Sequence, residues 1–186
     1  MFFRSWNKDL FTIPNLLSLF RLSLIPVYMT IYLDGRHTLA GCILALSCLT
    51  DLMDGWVARR FNMVTELGKL LDPLADKITQ LALALCLSLR YPIMRSVVLL
   101  LTFKEVFQSG VGLYFLRRGR ILSGALPMGK ACTAVLFLSL TALVILPRLS
   151  YPIVNLLALA DLGALSLSLL GYVQVYFGSS QEQYFE

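Results

Sequence analysis

Charged residues are scarce in this chain. Only 15% of the 186 residues are Asp, Glu, Lys or Arg, whereas 58% are hydrophobic. A soluble domain usually has about a quarter charged residues, and the mean hydropathy here is +0.74. The composition therefore argues against a soluble domain and is typical of an integral membrane protein.

The residues that bind soft metals are also few. His37 is the single histidine, and the four cysteines form no C-x-x-C pair, so a metal site built on histidine or thiolate has no support. We expect the cysteines to be small core residues and not ligands or disulfides. They are Cys42, Cys48, Cys86 and Cys132.

Several familiar sequence features are missing as well. We find no internal repeat, no low-complexity tract and no nucleotide-binding glycine loop. Arg21 interrupts the first apolar run, and no small-residue cleavage site follows it. A cleavable signal peptide is therefore not expected.

Long apolar runs make up most of the chain. A spanning helix needs roughly 20 apolar residues to cross a hydrocarbon core of about 30 Å. Six such runs predict an all-α fold, a single polytopic membrane domain over residues 1–186 with six transmembrane helices. The predicted spans are Ile13–Leu33, Thr38–Arg59, Leu70–Leu89, Pro92–Leu116, Lys130–Leu146 and Tyr151–Phe177.

Lys and Arg are concentrated at one end of the predicted helices, which indicates the orientation. They cluster before the first span and in the second-to-third and fourth-to-fifth connections, so this end should face the cytoplasm together with both termini. Residues 1–12 interleave aromatic and basic side chains, which suits a short interfacial helix or a plain positive flank. Residues 178–186 should form a cytoplasmic tail.

Four aspartates stand out in the stretch "DLMDGWVARRFNMVTELGKLLDPLADK". An ionisable residue at membrane depth is costly and marks a functional site by default. At 3.6 residues per turn, the acids and several small residues form one stripe on each of two helices. The stripes are Asp51, Asp54, Gly55 and Ala58 on the second helix and Gly68, Asp72 and Asp76 on the third.

The connection between these helices is short, so they should be antiparallel neighbours with facing acidic stripes near the cytoplasmic surface. Pro73 suits the first turn of the third helix, where its missing N–H does no harm. The small side chains of Gly55 and Ala58 would let a flat group such as a nucleotide approach the backbone. Simple helix packing is the alternative role for both.

Four carboxylates that converge in a low dielectric cannot all stay ionised without compensation. Lys77 and Arg59 could offset part of the charge. Divalent cations would do so better, and a ligand set made only of oxygen favours Mg²⁺ or Mn²⁺. A pair of such ions clamps an attacking and a leaving oxygen, which indicates phosphoryl-type chemistry.

Two other classes of protein use membrane-embedded aspartates. A cation transporter is one, although transporters usually show internal repeats and broken midplane helices, which are not apparent here. An intramembrane prenyltransferase is the other, but such enzymes resemble a larger bundle with acidic motifs far apart in sequence.

The acidic stretch reads D-x-x-D-G-x-x-A-R, eight further residues, and G-x-x-x-D-x-x-x-D. It resembles the signature of the CDP-alcohol phosphotransferase family at every fixed position, and six spans in this length resemble the family's core. The segment "TIPNLLSLFRLSLIPV" is similar to members that make phosphatidylglycerophosphate or cardiolipin. The matching positions are Asp51, Asp54, Gly55, Ala58, Arg59, Gly68, Asp72 and Asp76.

The resemblance implies transfer of a phosphatidyl group from CDP-diacylglycerol to an alcohol, with release of CMP, by a homodimer. It implies that Asp51, Asp54 and Asp72 hold two metal ions, and that Asp76 completes the second site and is the catalytic base. Donor contacts are expected from two groups of residues. They are Gly55, Ala58, Arg59, Thr65 and Gly68 around the acids, and Asn15, Ser18 and Arg21 on the first helix.

Arg21 is the strongest of the first-helix candidates, because an arginine inside an apolar span requires an anionic partner. Snorkelling to the interface is the alternative. Asp161 lies near the outer end of the last span, where we expect either a structural hydrogen bond or a helix shorter than the predicted one.

The expected acceptor is glycerol-3-phosphate, giving phosphatidylglycerophosphate, and its phosphate requires cations. Lys104 could bind this phosphate, or it could form an ion pair with Glu105 instead. The arginines of the fourth-to-fifth connection could also bind it, or they could simply be solvated at the positively charged face. The segment G-K-x-x-T resembles the synthases of that product, but they tend to carry two arginines on the fourth helix, where this chain has Lys104 and Gly112. A cardiolipin synthase, with phosphatidylglycerol as acceptor, is therefore the second candidate. The acceptor candidates are Lys104, Arg117, Arg118, Arg120, Lys130 and Thr133.

Overall fold

The computed structural model describes residues 12–60, 66–118 and 127–177, without the side chains of 13–14, 51–59, 66–67, 69–70, 116 and 127–128. Within these ranges the backbone forms six α-helices and no strand, which confirms the predicted all-α fold. The proposed interfacial helix and C-terminal tail lie outside the described residues. The helices are α1 (Ile13–Leu33), α2 (His37–Arg60), α3 (Glu66–Arg90), α4 (Met94–Arg117), α5 (Pro127–Ile145) and α6 (Tyr151–Phe177).

Three of these helices are long and apolar enough to cross a membrane, at Asn15–Leu33, Met94–Phe115 and Tyr151–Phe177. The apolar stretches His37–Thr50 and Gly129–Ile145 are shorter. Helices α2 and α3 are not excluded from this group by their length. They have 24 and 25 residues, and 20 residues of helix span about 30 Å. The C-terminal half of α2 and the N-terminal half of α3 carry the acids and bases of the candidate site, which lowers the hydropathy there.

The chain divides after Cys86 into two compact units. In the first unit, α1 and α2 form a helical hairpin around Gly35, whose φ is +77°. The Gly35 N–H donates to the Tyr32 carbonyl and the Arg36 N–H to the Ile31 carbonyl. Glycine adopts this left-handed conformation without steric cost, so it ends α1 with a Schellman-type cap.

One face of α1 is buried along its whole length, and its character changes from polar to aromatic. The N-terminal half buries Asn15, Ser18 and Arg21, and the C-terminal half buries Tyr28 and Tyr32. These positions follow the three- and four-residue spacing of a helix face. The polar half of this face meets the acids of α3.

The prediction for Pro73 is wrong. Because α3 begins at Glu66, Pro73 lies inside the helix and not in its first turn. A proline there cannot donate the usual hydrogen bond to the carbonyl four residues earlier. The prediction took proline as a mark of the helix start, but the helix begins earlier in the chain and includes Gly68.

In the second unit, α6 packs against both α4 and α5. An aromatic cluster joins the C-terminal halves of α4 and α6, where the rings of Phe115 and Tyr176 stack with centroids 5.8 Å apart and Tyr172 lies beside Tyr176. Gly129 on α5 meets this cluster closely, since a Cβ there would lie 3.1 Å from the Tyr172 ring. The glycine of the G-K-x-x-T segment thus allows helix packing.

The cysteine prediction holds for only one of the four residues. Cys86 is buried, whereas Cys42 is exposed and Cys48 and Cys132 are partly buried. In a membrane protein the surface of the helices faces lipid, so a small apolar side chain is as well placed outside the core as within it.

Asp161 is fully buried in α6 and accepts a hydrogen bond from the Ser139 hydroxyl of α5, at 2.9 Å. This agrees with the predicted structural hydrogen bond. The alternative of a shorter last helix is wrong, because α6 continues to Phe177. The contact joins two apolar helices through a single polar pair.

We expect Ser139→Ala to lower the free energy of unfolding by about 1–3 kcal/mol, because it removes a partner from a buried polar group. Thermal and denaturant unfolding of the purified protein measure this. Ser166→Ala, an exposed serine on α6, is the matched control and should change stability by less than about 0.5 kcal/mol. Equal effects of the two substitutions would show that the Ser139–Asp161 hydrogen bond is not important.

Candidate acidic site on the first and third helices

Two acids of α3 point toward the polar half of α1. The Ser18 hydroxyl donates a hydrogen bond to Asp72 Oδ1 at 2.6 Å. One turn further along both helices, Arg21 Nη1 donates to Asp76 Oδ1 at 2.7 Å. Ser18 and Arg21 are three residues apart on α1, and Asp72 and Asp76 are four residues apart on α3. Each pair is therefore separated by about one helical turn, so both contacts can form along the same side of the two helices.

Burial differs sharply across the Arg21–Asp76 ion pair. The Arg21 side chain is 3% exposed and that of Asp76 is 54% exposed. A buried guanidinium left without a counter-ion would cost about 3–5 kcal/mol, somewhat less beside a half-exposed partner. Asp76 is therefore the anionic partner that the sequence required for Arg21, while its own carboxylate stays accessible.

The remaining first-unit residues are placed as follows. Asn15 is 1% exposed on the same face of α1, and Gly68 is buried one turn before Asp72 on α3. Thr65 lies outside the described residues. The backbone of α2 includes the other site positions, but their side chains are not described. They are Asp51, Asp54, Gly55, Ala58 and Arg59.

An apolar cleft begins one helical turn from the ion pair, deeper in the predicted membrane. Helices α1, α2 and α3 all line it, and Tyr28, Ser47 and Thr79 are its polar members. The cleft therefore continues the acidic site with a mostly hydrocarbon surface. Its lining comprises Leu24, Ile25, Tyr28, Ile43, Leu44, Ser47, Thr79, Ala82 and Leu83.

The acceptor candidates lie in the second unit. Lys104 is buried and pairs with Glu105 at 2.7 Å, which is the alternative that the sequence left open. Lys130, Arg117 and Arg118 are exposed, and the Arg118 guanidinium lies 4.7 Å from the centroid of the Tyr114 ring.

Thr133 donates its hydroxyl hydrogen to the carbonyl of Gly129, one turn earlier on α5, at 2.9 Å. This hydrogen bond lies within one turn of α5. The hydroxyl oxygen of Thr133 can still accept a hydrogen bond from another group. Arg120 is outside the described residues. The exposed cations at the C-terminal end of α4 and the N-terminal end of α5 remain the predicted contacts for an anionic acceptor.

The described acids fit a hard divalent cation. Asp72 and Asp76 offer oxygen ligands from successive turns of one helix face, and Asp76 is half exposed, so an ion from solvent can reach its carboxylate. Carboxylate oxygens are the ligands that Mg²⁺ prefers. No group of three His, Cys, Asp or Glu side chains occurs among those described, a set that does not include Asp51 and Asp54.

Comparison with known proteins agrees with the signature. The family model for CDP-alcohol phosphatidyltransferases matches residues 11–170, which include all six helices but the last turns of α6. The chain belongs to the CDP-alcohol phosphatidyltransferase family. This family is generally dependent on divalent metal ions, and it acts on CDP-diacylglycerol and an alcohol acceptor.

Relatives with two different named activities are found. A CDP-diacylglycerol–glycerol-3-phosphate 3-phosphatidyltransferase of Rickettsia bellii is 30% identical over 137 residues, which cover 72% of this chain and 74% of that protein. One of Bacillus subtilis is 32% identical over 152 residues, covering 73% and 78%. The cardiolipin synthase (CMP-forming)/mitochondrial hydrolase fusion protein of Schizosaccharomyces pombe is 38% identical over 87 residues, but these cover 47% of this chain and only 15% of that protein.

Proposed function

We propose that this protein transfers the phosphatidyl group of CDP-diacylglycerol to the hydroxyl of glycerol-3-phosphate, giving phosphatidylglycerophosphate and CMP. The observation that carries the proposal is the similarity to glycerol-3-phosphate phosphatidyltransferases along nearly three quarters of both chains. The complete acidic signature of the family lies inside the matched region.

The acids of α2 and α3 are proposed to hold two divalent ions, Mg²⁺ or Mn²⁺. The ligands are Asp51, Asp54, Asp72 and Asp76. When bound, the ions neutralise the pyrophosphate of the donor and stabilise the charge that develops on the departing CMP oxygen. The half-exposed carboxylate of Asp76 supports its second role, which is to accept the proton of the acceptor hydroxyl.

The bond changes then balance without a further reactant. As Asp76 takes the hydroxyl proton, the acceptor oxygen forms a bond to the phosphorus of the phosphatidyl group. The bond from that phosphorus to the CMP oxygen breaks, and CMP leaves with the bonding electron pair. Asp76 afterwards releases the proton to solvent.

The donor is proposed to lie across α1, α2 and α3. Gly55, Ala58, Arg59, Thr65 and Gly68 would contact its cytidine diphosphate part, with Asn15 at the edge. The apolar cleft next to the acidic site supports an arrangement in which an acyl chain leaves sideways between helices. A two-chain donor also explains why the reaction takes place in a bilayer.

We further propose that the protein works as a homodimer in a bacterial cell membrane, with its active site facing the cytoplasm. The orientation rests on Lys and Arg, which concentrate at the end of the helices where the acids lie. The bacterial sources of two relatives that match over 137 and 152 residues support the location.

Lys130 is proposed to bind the phosphate of the acceptor. We expect Lys130→Ala to raise the KM for glycerol-3-phosphate about tenfold, because a charge-assisted hydrogen bond contributes about 1.5–3 kcal/mol, and to leave the KM for CDP-diacylglycerol nearly unchanged. Initial rates over a grid of both substrates measure this. Arg148→Ala removes another exposed cation, at the predicted outer end, and is the control. If both KM values rise together, Lys130 has no acceptor role.

Cardiolipin synthesis is the second candidate function. It is favoured by the 38% identity to a cardiolipin synthase fusion protein over 87 residues. It is also favoured by Lys104, whose charge is already paired with Glu105. Phosphatidylglycerophosphate synthases tend to carry arginines on this helix. An acceptor with less charge would need fewer free cations.

An acceptor panel separates the two functions. Purified protein is given CDP-diacylglycerol, Mg²⁺ or Mn²⁺, and one of glycerol-3-phosphate, phosphatidylglycerol, inositol phosphate or serine. We expect release of CMP with glycerol-3-phosphate at least tenfold faster than with the others. The fastest release with phosphatidylglycerol would instead establish the second candidate, and no release with any acceptor would contradict the phosphatidyltransferase assignment.

A further inference from the structure

We propose that Ser18 and Arg21 are positioning residues on α1 that hold the carboxylates of Asp72 and Asp76 on α3. Arg21 is also the counter-ion of Asp76, and a divalent metal that binds Asp76 is repelled by its positive charge. This inference rests on the proposed function of Asp72 and Asp76 as metal ligands. It differs from the sequence-based expectation, in which both α1 residues contact the donor.

Burial argues against direct donor contact by Arg21. Its side chain is 3% exposed, and Nη1 already donates to Asp76 Oδ1 at 2.7 Å. A donor could reach Asp76, which is 54% exposed, far more easily than it could reach the guanidinium behind it. Arg21 therefore acts through Asp76.

Ser18 repeats the arrangement one turn earlier without a charge. Its side chain is buried and its hydroxyl donates to Asp72 Oδ1 at 2.6 Å. Both contacts fix a carboxylate from one side by its Oδ1 atom. Such contacts orient a ligand before the metal binds, as outer hydrogen bonds do in other metal sites.

Arg21 has two effects on metal affinity that oppose each other. It orients Asp76, and losing the orientation of one short side chain would cost only a few-fold in affinity. It also places a positive charge on the carboxylate that a metal would share, and removing a like charge from a half-buried site should gain about tenfold or more. The electrostatic effect is larger, so metal binding should tighten when Arg21 is neutralised.

Turnover should change in the opposite direction. A base that loses its fixed position by about an ångström can lose on the order of a hundredfold in rate. A variant that binds metal more tightly and reacts more slowly is not explained by partial unfolding, which weakens both. The combination therefore identifies a positioning residue.

The test is an equilibrium Mn²⁺ titration of the full chain in detergent, without donor or acceptor, followed by electron paramagnetic resonance. We expect Arg21→Gln to bind Mn²⁺ about tenfold more tightly than the unchanged protein and Arg21→Lys, which keeps the charge, to bind within about twofold of it. Ser18→Ala should bind a few-fold more weakly. Arg36→Gln and Ser23→Ala, at exposed positions, are the matched controls and should leave the affinity unchanged.

A double-mutant cycle shows whether Arg21 acts through Asp76. In the Asp76→Asn background, Arg21→Gln should no longer tighten Mn²⁺ binding. Arg21→Met, which keeps the apolar stem of the side chain, is made in parallel in case the glutamine variant does not fold. Unchanged or weaker Mn²⁺ binding in both neutral variants, or the same gain in the Asp76→Asn background, would overturn the proposal.

Failure of this inference is distinct from failure of the proposed function. If Arg21 instead contacts the donor, its neutral variants raise the dissociation constant for CDP-diacylglycerol and leave Mn²⁺ affinity as it was. CMP release by the unchanged protein would then still stand. If the unchanged protein releases no CMP, the proposed function fails whatever the Mn²⁺ titration gives.

Discussion

Asp76→Asn should reduce turnover by about 10²–10⁴-fold, the usual contribution of a general base, while CDP-diacylglycerol still binds. Asparagine has nearly the same shape and keeps a side-chain oxygen that can accept the hydrogen bond from Arg21, so the α1–α3 contact should persist. What is lost is the negative charge and the ability to take a proton. Single-turnover CMP release and equilibrium donor binding, measured on the same preparation, separate the two effects.

The controls for this prediction come from two other aspartates. Asp51→Asn should weaken donor binding as well as turnover, because Asp51 is proposed to hold a metal against the pyrophosphate. Asp34→Asn, at the exposed end of α1, should leave both unchanged. If Asp76→Asn lost donor binding to the same degree as Asp51→Asn, Asp76 would be a metal ligand without a separate role as base.

Removal of divalent cations should have an effect of similar size. We expect a chelator to lower CMP release by at least about a thousandfold, because several kcal/mol of transition-state stabilisation are lost with the ions. Mg²⁺ or Mn²⁺ should restore the rate. Ca²⁺ should restore it poorly, since it prefers more ligands at longer distances.

A stability control on the chelated protein excludes trivial causes of the loss. The thermal unfolding midpoint of the chelated protein should remain above the assay temperature. Readdition of Mg²⁺ should recover the full rate. Activity that persists after exhaustive chelation would contradict the metal site and, with it, the proposed role of all four aspartates.

The approximate positions of the helices could be predicted because each one contains a long apolar run. The first and last spans have the predicted bounds, since runs of Leu, Ile and Val end at turn residues such as Gly35. The start of α3 was predicted four residues too late. Pro73 and nearby charges read as a helix start, although the backbone remains helical through them.

Hydropathy could not predict which apolar side chains are buried between helices and which lie on the outer surface of the helices. Cys42 and Cys86 are equivalent by residue type, but one is exposed and the other buried. In a soluble protein the burial of apolar groups would favour the core for both. In a membrane helix lipid covers the outer face, so only the packing of neighbouring helices decides.

The sequence predicts which residues form the candidate site, but it does not predict the contacts among them. The sequence indicated that Arg21 needs an anion and that Asp76 belongs to an acidic stripe, yet nothing in one dimension joins positions 55 residues apart. The pairing of Ser18 with Asp72 had no sequence signal beyond the matching three- and four-residue spacings. For Lys104, adjacency to Glu105 was itself the signal, and the two side chains do pair.

The central claim is that the acids of α2 and α3 meet around divalent ions. An experimental structure of the protein with bound Mn²⁺, located by its anomalous scattering, tests it most directly. We predict Mn²⁺ held by carboxylate oxygens of Asp72 and Asp76 together with those of Asp51 and Asp54. Side chains of α2 that point away from Asp72, or Mn²⁺ bound elsewhere, would contradict the account.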